Sequence, residues 1–307
     1  MSEKIFDTII IGGGPAGYTA ALYSTRAGLS TLVLEKFSAG GQMTQTSTID
    51  NYPGFDEGID GFSLGFKMQQ GAERFGATTM QTEVLSVDLN ANPKKIVTDS
   101  GELLSKTVII ATGADHKHLG IDKEESLIGR GVGYCAACDG MLFRGKTVAV
   151  VGGGNSAAAD ALLLSKICEK VYIIVRRDHM SATKIYHEPL MKTENVEFKW
   201  NSEVRELLSG MKINGIRIEN KAGESEEIAL DGLFISIGRQ PATEIFSGQI
   251  ELDKSGYVIA DESTKTNIPG VFAVGDVRTK VLRQIITAAA DGAVASHYVE
   301  EFIAENK

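Results

Sequence analysis

Two stretches of this chain repeat the same order of strand, glycine-rich turn, helix and strand at the same spacing, and few folds accommodate that pattern twice. Residues 6–11 form an apolar, β-branched run that ends in Gly12-Gly13-Gly14-Pro15-Ala16-Gly17. The pattern then predicts a helix over residues 18–27 and a strand over 31–34. A second copy has a predicted strand over 147–151, the turn Gly152-Gly153-Gly154-Asn155-Ser156-Ala157, a helix over 158–167 and a strand over 171–175. Gly12 to Glu35 and Gly152 to Val175 are each 23 positions apart. In such a βαβ turn the first glycine permits the tight bend, the second lets backbone approach a pyrophosphate, and the third lets helix pack closely on strand. The expected class is α/β, with two Rossmann-like nucleotide-binding domains of three layers each.

Each copy leads on to another buried-looking strand and a glycine, residues 108–113 in the first half and 233–238 in the second. The tail does not repeat the second unit. It runs from Pro241 through a strand predicted over 271–274, ends that strand in Gly275-Asp276, and finishes in a helix predicted over 283–304. We expect it to complete the first domain. That makes the first domain discontinuous, 1–115 with 241–307, and the second an insertion over 116–240, with hinges near Asp115 and Gln240.

The two turns differ in what they ought to hold. Gly12, Gly14 and Gly17, with Pro15 and Ala16 opening the helix, would seat a diphosphate on unpaired N–H groups at the positive end of the helix. Glu35 closes the second strand, where a carboxylate accepts hydrogen bonds from a ribose diol and repels a 2′-phosphate. That suits the adenosine of FAD or NAD; the plainer reading is a solvated glutamate opening a loop. In the second unit Gly152, Gly154, Asn155, Ser156 and Ala157 follow the same plan, but Val175 replaces the acid and Arg176 and Arg177 follow it. Guanidinium forks match phosphate oxygens, so the pair points to the 2′-phosphate of NADPH, against two merely solvent-exposed arginines. Asp178 stands beside them and can partly neutralise them.

At 307 residues and 43% hydrophobic, the chain can bury the cores of two ordinary domains. A formal charge of −9 disfavours a general nucleic-acid binder. No run approaches the roughly 20 apolar residues that cross a bilayer, and the N-terminus lacks a signal-peptide profile, so a cytoplasmic protein is expected. Three cysteines do not make a disulfide framework. Cys135 and Cys138 lie in Gly133-Tyr134-Cys135-Ala136-Ala137-Cys138-Asp139-Gly140, the spacing of a reversible dithiol. Zinc would need two more ligands, and neither Cys168 nor the five histidines supply a paired spacing. Cys168, within a predicted helix, is expected to be a small buried hydrophobe. Asp139 could take and return a proton as the thiols cycle, or simply shape the turn before Gly140.

Taken together these motifs resemble the low-molecular-weight thioredoxin reductases over essentially the whole chain. The residues 12–17 look like that family's FAD-binding turn, and Gly40-Gly41-Gln42-Met43 with Asn51-Tyr52-Pro53-Gly54 like its flavin-side segment. Cys135-Ala136-Ala137-Cys138-Asp139 resembles its active site; Ala111-Thr112-Gly113 and Gly275-Asp276 followed by Arg283-Gln284 resemble its remaining flavin contacts. The resemblance implies an FAD-containing homodimer that reduces thioredoxin, or a thioredoxin-like small protein, with NADPH. Where the family's nucleotide segment has histidine and a third arginine, this chain has Val175 and Ser181, which leaves Arg176 and Arg177 as the determinants and NADH or ferredoxin as alternative donors. A single dithiol must meet both flavin and acceptor, so a rotation of the inserted domain about its hinges is expected. A flavin-dependent redox sensor and a peroxide-forming NAD(P)H oxidase are the rival readings.

Overall fold

A computed structural model describes residues 4–46 and 48–306. The chain divides into two compact units, residues 1–115 with 240–307, and residues 116–239, so Gln240 falls in the first. In chain order the first unit runs β1 (Ile5–Ile11), α1 (Pro15–Arg26), β2 (Thr31–Glu35), α2 (Gly61–Glu73), β3 (Thr78–Gln81), β4 (Val84–Asp88), β5 (Lys94–Thr98) and β6 (Gly101–Ile110). A short strand, β7 (Ala114–His116), leads out. The second unit holds β8 (Val132–Gly133), α3 (Ala136–Asp139), β9 (Thr147–Val151), α4 (Asn155–Ser165), β10 (Lys170–Val175), α5 (Lys184–Met191), β11 (Val196–Trp200), β12 (Ser202–Ser209), β13 (Ile213–Asn220), β14 (Ser225–Ala229) and β15 (Gly232–Ile235). The chain returns through β16 (Arg239–Pro241) and ends with β17 (Val271–Ala273) and α6 (Ile285–Glu305).

The sheet of the first unit has the order β3-β2-β1-β6-β5-β4. Its strands β3, β2, β1 and β6 run parallel; β5 and β4 return antiparallel as a hairpin. The long β6 serves two partners on one edge, β5 along residues 101–105 and β17 along residues 108–110, in parallel register Val108 to Val271. β1 can be apolar throughout its second half because both faces are covered. Ile9 and Ile11 point with Leu32, Leu34, Val108 and Ile110 into one core, closed by Val87, Leu89 and Ile96 of the hairpin region. Ile10, Val33 and Ile109 point into the other, closed by Ala16, Ala20 and Ala21 of α1 and Ala295 and Val299 of α6. Each such isoleucine or leucine removed from water contributes about 1.5–3 kcal/mol.

The second unit repeats the plan with the parallel order β11-β10-β9-β15-β8. α3, α4 and α5 cover one face, burying Val148, Val150, Ile173, Val175 and Cys168. The antiparallel meander β12-β13-β14 covers the other with Val204, Leu207, Ile213, Ile216 and Ile228. The observed helices begin earlier than periodicity predicts, at Pro15 and Asn155, because their first turns are made of small residues and proline or polar residues, which give no apolar stripe at helical spacing. α6 begins later, at Ile285, because Gln284 caps it in a reciprocal box with Thr287.

Small residues set how closely α1 and α6 approach. A Cβ on Gly292 of α6 would stand 2.3 Å from the Ala16 carbonyl oxygen and 2.8 Å from the Ala20 nitrogen, both backbone atoms of α1. Overpacking of this kind costs roughly 1–3 kcal/mol. Gly292→Val is therefore expected to lower the urea-unfolding free energy by roughly 3 kcal/mol. Gly71→Ala in α2, where a Cβ meets nothing within 4 Å, is the control and should hold stability or raise it by up to about 1 kcal/mol.

Candidate active site

The C-terminal edge of the parallel strands in the first unit gathers the predicted residues. Gly12 leaves β1 with φ of 110°, and a side chain there would lie 2.4 Å from the Ala111 oxygen at the end of β6. Gly17 is as constrained, its Cβ falling 1.9 Å from the Gly12 oxygen. Gly14 is different. It caps α1 with an ordinary φ of −81°, forms no side-chain cap, and a Cβ there would meet nothing within 4 Å. Protein packing does not require glycine at this position; a ligand approaching the bare N–H groups of the first turn does. This is the fit expected of a dinucleotide diphosphate.

Around this cradle the other residues converge. The Gly40 N–H donates to the Gly13 oxygen at 2.8 Å, and a Cβ on Gly41 would stand 3.5 Å from the Gly14 Cα. The Gln42 amide donates to the Ala114 oxygen at 2.6 Å and to Asp115 at 2.8 Å. Asn51 donates to the Gln284 side chain at 3.0 Å, tying its loop to the cap of α6. Thr112 donates to the Ala242 oxygen at 2.7 Å. Gly275 lies against Ala16, and Arg283 donates at 3.4 Å to the Asp276 oxygen while lying 4.1 Å over the Tyr257 ring. Glu35 is no loosely solvated loop residue. Its carboxylate accepts the Gly13 N–H at 2.6 Å and the Phe37 N–H at 3.0 Å, which fixes the end of β2 against the turn.

In the second unit Gly152 repeats the tight bend with φ of 145°, a Cβ there falling 2.3 Å from the Ser236 oxygen. Gly154 repeats the open cap of α4, with nothing within 4 Å of a Cβ. Asn155 accepts the Thr183 N–H at 2.8 Å. Ser181 donates both its N–H, at 2.7 Å, and its hydroxyl, at 3.1 Å, to the Gly153 oxygen. Val175 is buried in the core below that turn, and Arg176 and Arg177 emerge exposed beyond β10. Asp178 bonds His179 at 2.7 Å, so neither arginine is claimed by it.

Cys135 and Cys138 are joined as a disulfide with Cα atoms 5.3 Å apart. Cys135 caps the single turn α3, whose Cys138 and Asp139 N–H groups both donate to its carbonyl at 3.1 Å. Asp139 is half-buried, with one carboxylate oxygen 3.3 Å from where a Gly133 Cβ would stand, and burial pushes its carboxyl above the usual range. Cys168 is buried, its thiol pushed by that burial up to about 11, and it takes no part. Among the described residues there is no metal-ligating cluster.

Three networks escape the sequence. Tyr134, beside Cys135, donates to Glu124 at 2.6 Å, and Glu124 also accepts the Leu119 and Gly120 N–H groups at 3.0 and 2.8 Å. His118 reaches the Tyr134 oxygen at 2.8 Å, and His116 stacks on the Tyr134 ring at 4.8 Å. Ser236 donates to Asp160 of α4, beside the second glycine turn. Asp291 of α6 binds Arg278 and Lys280 beneath Gly275. Only Asp291 left a signal, as an acid at helical spacing among Ala288, Gly292 and Ala295.

The family model for pyridine nucleotide-disulphide oxidoreductases matches residues 6–292. The chain belongs to that family. It is 44% identical over 307 residues to a thioredoxin reductase of Listeria monocytogenes, covering 99% of this chain and 96% of the relative. A thioredoxin reductase of Bacillus subtilis is 43% identical over 305 residues, 97% of this chain and 96% of the relative. The crystal structure of a Streptococcus pyogenes thioredoxin reductase superimposes with a TM-score of 0.92 at 41% identity, covering 99% of this chain and 100% of that one. The chain is accordingly an enzyme, a flavoprotein disulfide reductase with two Rossmann-like domains that uses FAD and NADPH.

Gly12→Ala and Gly14→Ala separate fold from ligand. The first should lower stability through backbone strain, whereas the second should leave the urea-unfolding free energy of the FAD-free protein within about 0.5 kcal/mol and weaken FAD binding roughly tenfold, read by flavin fluorescence. A second expectation concerns acid. Burial, then the charges of Arg239 and His118, holds His116 down to about 4 from 6.5. The unfolded chain thus binds a proton that the folded one refuses, and stability should fall as pH drops from 6.5 towards 4. His116→Phe should flatten that decline in denaturation measured across the same window.

Proposed function

We propose that this enzyme is a thioredoxin reductase whose first unit holds FAD and whose second unit holds NADPH and the redox pair Cys135–Cys138. The observation that carries the reading is the Cys135–Cys138 disulfide, with Asp139 half-buried beside it, in the same unit as an open-capped glycine turn. Bound FAD and NADPH supply the two-electron chemistry that opens the disulfide. The protein supplies everything else. Residues 12–17, Glu35, Gly41, Gln42, Asn51, residues 111–113, Gly275, Asp276, Arg283 and Gln284 bind the flavin nucleotide. Gly152, Gly154, Asn155, Ser156 and Ala157 seat the nicotinamide nucleotide's diphosphate, and Arg176 and Arg177 take its 2′-phosphate.

Opening the disulfide needs two electrons and two protons. One thiolate then attacks the acceptor's disulfide, displacing a thiolate there, and the second thiolate resolves the mixed disulfide. Asp139 suits the proton step because burial favours its protonated form, so it can give a proton to the departing sulfur and retrieve it. One dithiol serves two partners. The second unit therefore turns about the connections β7 and β16 to present the pair first to flavin and then to thioredoxin or a thioredoxin-like small protein. We read the enzyme as a cytoplasmic homodimer; among the described residues no helix is long and apolar enough to cross a membrane.

Anaerobic flavin bleaching by NADPH, NADH and reduced ferredoxin in turn, followed by oxidised thioredoxin, tests the path. NADPH should bleach the flavin fastest and thioredoxin should restore it. Arg176→Ala with Arg177→Ala should remove the preference over NADH; bleaching by ferredoxin alone would overturn the donor. Asp139→Asn should leave NADPH bleaching intact and slow thioredoxin reduction about 100-fold. Cys138→Ser should abolish that reduction, and a flavin that still reoxidises with thioredoxin would exclude the dithiol.

A further inference from the structure

The strand order says where the reactive half of a dinucleotide must lie in the first unit. Glu35 marks the adenosine side at β2, and the diphosphate sits over α1 next to β1. The other half therefore extends the opposite way, over the ends of β6 and β17, outside the carboxyl edge of the sheet. β17 ends in the turn Gly275–Val277. Directly beneath that turn lies a cluster of three charges that no step above employs.

Asp291 accepts the Gly275 N–H at 2.8 Å, both arms of Arg278 at 2.8 and 2.7 Å, and the Lys280 ammonium at 2.8 Å. Arg278 is 1% exposed, and the side chains of Asp291 and Lys280 are 7% and 5% exposed. Burial raises the Asp291 carboxyl, but Arg278 and Lys280 together hold it below the usual range. Two cations therefore face one anion. Arg278 spends its remaining donors on the carbonyls of Ala260 and Thr279, and Lys280 on that of Thr287. Of the other acids, Glu262 stands 3.4 Å from Arg278 but is 93% exposed, so water screens it far more than it screens the three buried side chains. A single positive charge remains in a dry site, where it is screened little by salt.

We infer that the Arg278–Asp291–Lys280 cluster is an electrostatic positioning device that favours the reduced, negatively charged flavin over the oxidised one. Hydride arrival adds two electrons and one proton, so the ring gains one negative charge as it is reduced. A fixed positive charge behind the turn stabilises that product selectively, without touching it. The inference rests on the placement of FAD in the first unit given above.

The test is the flavin midpoint potential of the FAD-loaded enzyme, read by absorbance against reference dyes, for Asp291→Asn and Lys280→Met. Loss of the anion should raise the potential and loss of the cation should lower it. Each change should alter the reduced-to-oxidised ratio about tenfold at fixed dye potential, or ~30 mV for a two-electron couple. A merely structural clamp would not give shifts of opposite sign, so equal or absent shifts with FAD bound overturn the inference. Should Asp291→Asn fail to fold, Lys280→Met decides alone, a lowered potential supporting the inference and an unchanged or raised one overturning it. Wild-type protein that takes up no FAD would instead overturn the flavin assignment, and this inference with it.

Discussion

The closure of the first strand–turn–helix unit on itself governs the rest of the first unit. Gly12 leaves no room for a side chain against Ala111, Gly17 none against Gly12, and Gly292 none against Ala16. These three approaches link β6, the turn, α1 and α6 through backbone rather than through side chains that could yield. The consequence is functional as much as structural. With the helix drawn this close to the strand, its first N–H groups face outward, and Gly14 leaves them uncovered. The second unit relaxes one of the three conditions, since Ala157 stands where Gly17 does, yet keeps the tight bend at Gly152 and the open cap at Gly154.

What could be read from the sequence was whatever is encoded locally. β1, β2, β9 and β10 were legible because strands covered on both faces are continuous apolar runs, and the turns were legible because glycine spacing is a backbone requirement. The Cys135–Cys138 pair follows from its spacing, and Cys168 is buried as expected, although it lies in the bend after α4 rather than within a helix. The covering layers did not announce themselves. β4, β5 and the meander β12-β13-β14 mix exposed and buried residues in short runs, and their pairing is settled only by the sheets they cover. Helix starts were misplaced for a related reason, because the first turns of α1 and α4 are built of small residues, proline, asparagine and serine, which carry no apolar periodicity even where they are buried.

Side-chain networks were illegible on different grounds. Glu124 and Tyr134 are 10 residues apart, Asp160 and Ser236 76 apart, and no periodicity relates them. Glu35 shows a different gap, a residue singled out for a ribose whose carboxylate fastens its own turn, which the sequence does not show. Ser181 shows a third, for the chain does not merely omit a phosphate partner there. It uses that residue's N–H and hydroxyl to hold the loop after β10 onto Gly153, leaving Arg176 and Arg177 as the cations at that edge.

The two units manage charge in complementary ways. In the first, Asp291 gathers Arg278 and Lys280 into a fixed buried charge beneath a turn, which suits a cofactor that stays and whose charge changes in place. In the second, burial damps the charge of two groups near the redox pair, while a buried carboxylate, Glu124, is held ionised by Tyr134 and the Leu119 and Gly120 N–H groups. Burial keeps His116 neutral and pushes Asp139 towards its protonated form, while Tyr134 donates to Glu124 one position before Cys135. Glu124, committed to those three hydrogen bonds, is a fixed charge. Asp139 can instead move a proton with the sulfur, so that electrons and protons travel together through the cycle.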